Sequence, residues 1–215
     1  MTIAPVELPT SWPIRQAAFG LKHFQTSGMA YGGAGQTSTF ADPVWEAKYT
    51  TREMQELEAG EIEGFLGTLR GMARVVLAYD VRRPVPYAFK GQGGSPWGSP
   101  TLASFSRANG TLTMENWTVD MTLYAGDYIA FQDTDDRWHL HRVLTTVVVD
   151  GSGDVVAVVE PRPARNLATD TDAPLRIRNS CCTMVFTWDA MDAEQAVGEG
   201  RSIPIIAHQV TRAFV

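Results

Sequence analysis

The sequence predicts a mainly β protein with one helix, an α+β chain built as a β-sandwich domain carrying the helix plus a second, small β-barrel or sandwich. Three observations carry that prediction. Only Met54 to Leu69 has apolar residues at helical offsets. From residue 101 to 161 the chain is a string of short β-type runs separated by turn residues. β-type runs then return from residue 175 onward.

The first 40 residues or so are rich in Pro, Gly, Ser and Thr, and Pro5, Pro9 and Pro13 predict an extended, irregular lead-in. AAFGLKHFQ (17–25) reads as a strand, and SGMAYGGAGQTSTFADP (27–43) as an exposed loop closing on a turn at Asp42-Pro43. In VWEAKYT (44–50), Val44, Glu46 and Lys48 alternate with Trp45, Ala47 and Tyr49, as a half-buried strand requires.

A helix follows. Thr50 and Glu53 fit a capping box, in which hydroxyl and carboxylate each satisfy a free amide of the first turn. Met54, Leu57, Ile62, Phe65, Leu66 and Leu69 form one predicted face, and Gly71 stands where a left-handed cap would end it. Gly60, Gly64 and Gly67 share a stripe. Glycine in a helix interior costs up to about 1 kcal/mol against alanine, so the stripe predicts close approach of another backbone, from a sheet or a neighbouring subunit; a locally weak helix is the alternative.

ARVVLAYD (73–80) reads as a buried strand, VRRPVPYAF (81–89) as its proline-stiffened exit, and KGQGGSPWGSP (90–100) as a linker. Gly126-Asp127, Asp133 to Asp136 and Asp150 to Gly153 have the composition of tight turns between antiparallel strands. PRPARNLATDTDAP (161–174) is a polar connection, and LRIRNSCCTMVFTWD (175–189) and RSIPIIAHQVTRAFV (201–215) resume β character. The expected organisation is discontinuous: residues 1–90 with 176–215 form the helix-bearing sandwich, and 91–175 the second domain.

Charge and composition exclude some functions. A net charge of −6, with 18 Lys and Arg scattered along the chain, argues against a nucleic-acid surface, which needs a basic stripe. No apolar run reaches the roughly 18–20 residues that span a bilayer, so no membrane insertion is expected. The first residues lack a basic leader with an apolar segment, so no secretory signal is expected. The adjacent Cys181 and Cys182 point to opposite faces of a strand and read as reduced thiols of a protein made in a cytoplasm.

Chemistry-bearing residues are few. His139 and His141 share one face of a strand, the spacing that two zinc ligands would take, but a site needs a third and usually a fourth. His23 and His208 fall in segments of the other domain. QDTDDR (132–137) and VDGSGDV (149–155) superficially resemble calcium loops without the spaced oxygen ligands. No nucleophile elbow or phosphate loop is present. Trp45, Trp97, Trp117, Trp138 and Trp188 suit core or interface packing more than a sugar-binding face. No catalytic residue, metal site or cofactor is expected.

Longer runs are more telling. WEAKYT (45–50), EIEGFLGTLRG (61–71) and VVLAYDVRRPVPYAF (75–89) resemble the N-terminal part of siphophage distal tail proteins, a tail-tip and baseplate family. There a tryptophan-bearing strand leads into a helix ending in FLxxLRG, then a strand and a proline-rich exit. LYAGDYIAF (123–131), VVVDGSGDVVAV (147–158) and VVEPRPAR (158–165) are similar to the β-rich second half, and SGMAYGGAGQT (27–37) to the glycine-containing loop before the tryptophan strand. MDAEQAVGEGRS (191–202) and the Cys-Cys pair lie outside the pattern.

The resemblance implies a virion structural protein at the tail tip, made in the bacterial host's cytoplasm. It would form a homo-oligomer, usually a hexameric ring, joining the tail tube protein to the hub and receptor-binding fibre proteins. DNA would pass through the ring without specific binding, and an acidic chain suits such a conduit. Subunit contacts are expected from Gly28 to Ser38, Gly91 to Ser99 and the extended N-terminus. Two alternatives stand beside this reading. One is a carbohydrate-binding β module using Trp97, Trp117 or Trp138 in host-surface recognition; the other is a small hydrolase using His139 or His141.

Overall fold

The computed structural model describes residues 5–29, 35–70, 73–164, 167, 172–187 and 202–210. The described chain is mainly β with a single α-helix, and its strands form a six-stranded sheet, a closed six-stranded barrel and a two-stranded ribbon. The sheet takes strands from both ends of the chain: β1 (Val6–Glu7), β2 (Ile14–Met29), β3 (Gly35–Thr51), β4 (Val76–Tyr79), β13 (Cys181–Thr187) and β14 (Pro204–Gln209), in the order β1-β4-β13-β14-β3-β2. The barrel is built from the middle: β5 (Gly98–Ser106), β6 (Thr111–Trp117), β8 (Tyr128–Gln132), β9 (Trp138–Val143), β11 (Val155–Glu160) and β12 (Ala173–Arg176). The small ribbon pairs β7 (Thr122–Leu123) with β10 (Val147–Val148).

Register explains which side chains the sheet buries. Tyr49 stands opposite Ile205, Ala47 opposite Ala207, and Ala207 opposite Phe186, so these side chains share one face. All of them are buried, and they cluster with Ala59, Ile62 and Leu66 of the helix. The intervening residues Glu46, Lys48, Ile206 and His208 remain partly or fully exposed. The barrel obeys the same period: Val155, Ala157 and Val159 point inward, while Val156 and Val158 are exposed.

Sheet and barrel share a core. Tyr128, Ala130 and Leu140 of the β8–β9 hairpin belong to the sheet's apolar cluster, whereas Ile129, Phe131 and Val143 of the same hairpin fill the barrel. Three polar contacts, two of them buried, lock the junction: Trp45 Nε1 donates to the Leu140 carbonyl at 2.7 Å, Ser180 Oγ donates toward the Tyr128 carbonyl at 3.1 Å, and the part-buried Trp138 N donates to Thr183 Oγ1 at 2.9 Å.

Several local expectations change. The supposed capping box does not form, because Thr50 stays in β3, paired on one side with Gln16 and on the other with Pro204. The neighbouring Thr51 hydroxyl accepts from Ile203 N instead. Helix α1 starts at Glu56, after Gln55, which makes no side-chain cap. This shift leaves Leu57 79% exposed and gives the buried face to Ala59, Ile62 and Leu66, with Leu69 just beyond. Arg70, with φ 50°, takes the left-handed position after the helix, and Gly71 lies outside the described residues. Apart from the helix's own backbone and the adjacent residues, no atom of the described chain comes within 4 Å of where a Cβ would stand on Gly60, Gly64 or Gly67, so no described sheet backbone approaches this stripe.

The lead-in is irregular apart from Val6–Glu7, as expected, whereas the Gly/Ser/Thr loop is strand over its described residues, 27–29 and 35–43; residues 30–34 lie outside the described residues. β1 pairs in parallel with β4, and β2 and β3 pair from Ile14↔Thr51 to Met29↔Gly35. Loop-like composition is compatible with a strand here because the partner strand satisfies the backbone groups. β14 covers β3 only from Glu46 to Thr50. Beyond Val44, therefore, the hairpin continues as a two-stranded arm of eight residues in β2, Lys22 to Met29, roughly 25 Å long at about 3.3 Å per residue. Arg107 of the barrel holds Asp42 at its base through two 3.0 Å contacts. The proposed linker is also anchored, since Trp97 is buried in the barrel core against Phe89.

Candidate functional site

His139 and His141 do share a strand face, and both rings stack on Phe131, with centroids 5.9 and 5.2 Å away. His141 is fully buried. Its Nδ1 donates to the Pro161 carbonyl at 2.7 Å, and Nε2 has no partner among the described residues. Burial drives its pKa down to about 4, so the ring is neutral under ordinary conditions. His139 Nε2 lies 2.8 Å from Asp133 Oδ2.

Asp133 is itself the centre of a turn. It accepts from Arg137 Nε and from the backbone amides of Asp135 and Arg137. Burial pushes its carboxyl up, but hydrogen bonds from His139 and Arg137 outweigh that and hold the pKa below the usual carboxylate value. The pair has the geometry of a base and its orienting acid. Among the described residues, however, no hydroxyl or thiol is hydrogen-bonded to either imidazole, and no three His, Cys, Asp or Glu side chains are grouped to hold a metal. Asp150 is likewise turn chemistry, accepting from the amides of Ser152 and Asp154 at 2.8 and 2.9 Å. His23 lies 3.6 Å from Glu160, and His208 3.6 Å from Glu46.

The thiols are free and buried on opposite faces of β13. Burial pushes Cys181 up to about 12 and Cys182 well above its usual value, so neither supplies a thiolate at neutral pH. Of the tryptophans considered for a sugar face, Trp97 and Trp117 are buried in the barrel and Trp138 packs on the shared core under Arg176. Trp188 lies outside the described residues.

A sizeable cavity lies elsewhere, between the segment that follows β4 and the barrel's loops. It measures about 810 Å³ and is lined by Arg82, Arg83, Tyr87, Lys90, Tyr124 and Arg178, among others. Asp127 organises it. This buried carboxylate accepts from Tyr87 N at 2.9 Å and Tyr124 N at 2.8 Å, tying two loops together so that the tyrosine rings meet edge to face at 5.4 Å. Burial lifts the Asp127 pKa above the usual carboxylate value, against the pull of those two amides and of Arg83. Arg83 donates to the Gly126 carbonyl, and Arg178 donates to the Gly94 carbonyl while lying over the Trp97 ring.

Sequence reasoning missed this cavity. VRRPVPYAFK carries its cations and one tyrosine in plain view, but read alone it is only a proline-stiffened exit. Tyr124, Asp127 and Arg178 come from distant positions that only the fold brings near.

No helix of the described chain is long and apolar enough to cross a membrane. No protein-family model matches the chain, and no curated protein matches it significantly.

Proposed function

We propose that the protein is a structural subunit of a bacteriophage tail tip, assembling into a ring, of six copies by the resemblance of its sequence to siphophage distal tail proteins. The ring would join the end of the tail tube to hub and fibre proteins and let DNA pass without binding it. The observation that carries this reading is the β2–β3 arm. It projects from the sheet with both outer edges lacking a strand partner among the described residues. A two-stranded ribbon is marginal by itself in water, and open strand edges recruit further strands. An arm that docks on the next copy gives the heterologous contact that ring closure needs.

The test is the mass of the full chain by light scattering, with negative-stain imaging, alone and mixed with a tail tube protein. A ring near six chain masses is expected. Replacing residues 26–38 by Asn-Gly joins the paired Gln25 and Thr39 through a two-residue hairpin turn. That variant is expected to keep the circular dichroism of the fold and to remain monomeric. A wild type that stays monomeric under both conditions, or a shortened arm that assembles equally well, would overturn the reading.

A further inference from the structure

The cavity beside Asp127 is electrostatically out of keeping with the rest of the chain. The protein carries 24 acidic against 18 basic residues, yet this lining has four cations and one acid. The acid is occupied, since each Asp127 oxygen accepts a backbone amide. Arg82 is occupied too, clamped on buried Asp80 by contacts of 2.8 and 2.9 Å. Arg83, Lys90 and Arg178 form no ion pair among the described residues, and all three are exposed. Their charge is thus available to a ligand. Two of them are also positioned: Arg83 by the Gly126 carbonyl and Arg178 by the Gly94 carbonyl and the Trp97 ring.

The aromatic part adds a second requirement. Tyr87 is 69% and Tyr124 40% exposed, although large rings normally bury most of their area. Their edge-to-face pair offers an apolar surface with phenolic hydroxyls beside it. The volume falls in the range of about 300–1,000 Å³ that holds compact ligands, which speaks against an extended peptide.

We propose that this cavity binds an anionic saccharide: a short glycan bearing carboxylate or phosphate groups, whose rings pack on Tyr87 and Tyr124 and whose charge is met by Arg83, Lys90 and Arg178. Guanidinium groups bind such oxyanions in bidentate fashion, and an ammonium meets them as a point charge. The proposal stands apart from ring assembly and does not depend on it.

The test titrates the full chain calorimetrically with trigalacturonate, a phosphorylated maltotriose, neutral maltotriose and hexaglutamate. At least one acidic sugar is expected to bind about tenfold more tightly than maltotriose and to weaken as salt rises; which one binds identifies the anion. Lys90→Gln and Tyr87→Ser remove side chains only and keep the Tyr87 amide on Asp127. Each is expected to weaken binding about fivefold or more with an unchanged melting temperature. Equal binding of maltotriose, no binding of either acidic sugar, or affinity that both variants leave intact would overturn the proposal. Tighter binding of hexaglutamate than of either acidic sugar would overturn it in favour of an acidic protein segment.

Discussion

At the scale of single residues, the fold takes His141 out of the range in which an ordinary imidazole titrates. An imidazole in an unfolded chain titrates near pH 6.5, whereas His141 in the folded chain stays neutral down to about pH 4. Between those values the unfolded state binds more protons, so stability falls as pH drops from 6.5 towards 4 and the loss levels off below that. The contribution is on the order of 2–3 kcal/mol. His141→Leu is expected to cost stability at pH 7, because the Pro161 carbonyl loses its donor. It should also shrink the further fall between pH 7 and 4.5 by about that amount, read from urea midpoints at each pH. Equal falls in both proteins would exclude a neutral buried imidazole. The shared face of His139 and His141 was legible from their spacing of two. The burial of His141 was not, because it depends on Phe131 from one paired strand and on Pro161, which follows the strand paired on the other side.

At the scale of elements, the helix shows where local signals mislead. Thr50 and Glu53 have the spacing of a capping box, but the strand bonds of Thr50 to two neighbours hold it out of the helix. Long-range pairing defeated a short-range motif there, just as it turned the Gly/Ser/Thr run after Gln25 into strand. The glycine stripe bears directly on stability. Gly60, Gly64 and Gly67 have open space where a Cβ would stand and no left-handed backbone. Gly64→Ala is therefore expected to raise the unfolding free energy by about 0.5–1 kcal/mol, measured by denaturant unfolding of the unassembled chain. A destabilised variant would show that the helix backbone is strained in a way the geometry does not reveal.

At the scale of the whole molecule, sheet and barrel are expected to unfold together, because Tyr128 and Leu140 of the barrel pack with Trp45 in the sheet's apolar cluster. Trp45→Phe deletes the buried bond to the Leu140 carbonyl and is expected to cost about 1–3 kcal/mol. Fluorescence and far-UV circular dichroism should then shift together in a single transition; two separated transitions would show that the parts unfold independently. The class of fold was legible because alternation and turn residues are local; the helix was found, but its buried face was misread, since Leu57 points outward and Ala59 inward. The cavity was not, since Tyr87, Asp127 and Arg178 share no pattern until the strands are placed. The interleaving of the sheet also sets an order of events on the ribosome. All six barrel strands are synthesised before β13, whereas β14, which fills the slot between β13 and β3, is the last strand of the sheet to emerge. The barrel can close while the chain is still being made, but the sheet stays split, with β3 and β13 lacking their common neighbour, until β14 arrives. The base of the proposed assembly arm, β3 from Glu46 to Thr50, therefore gains its second neighbour only once that strand has been made.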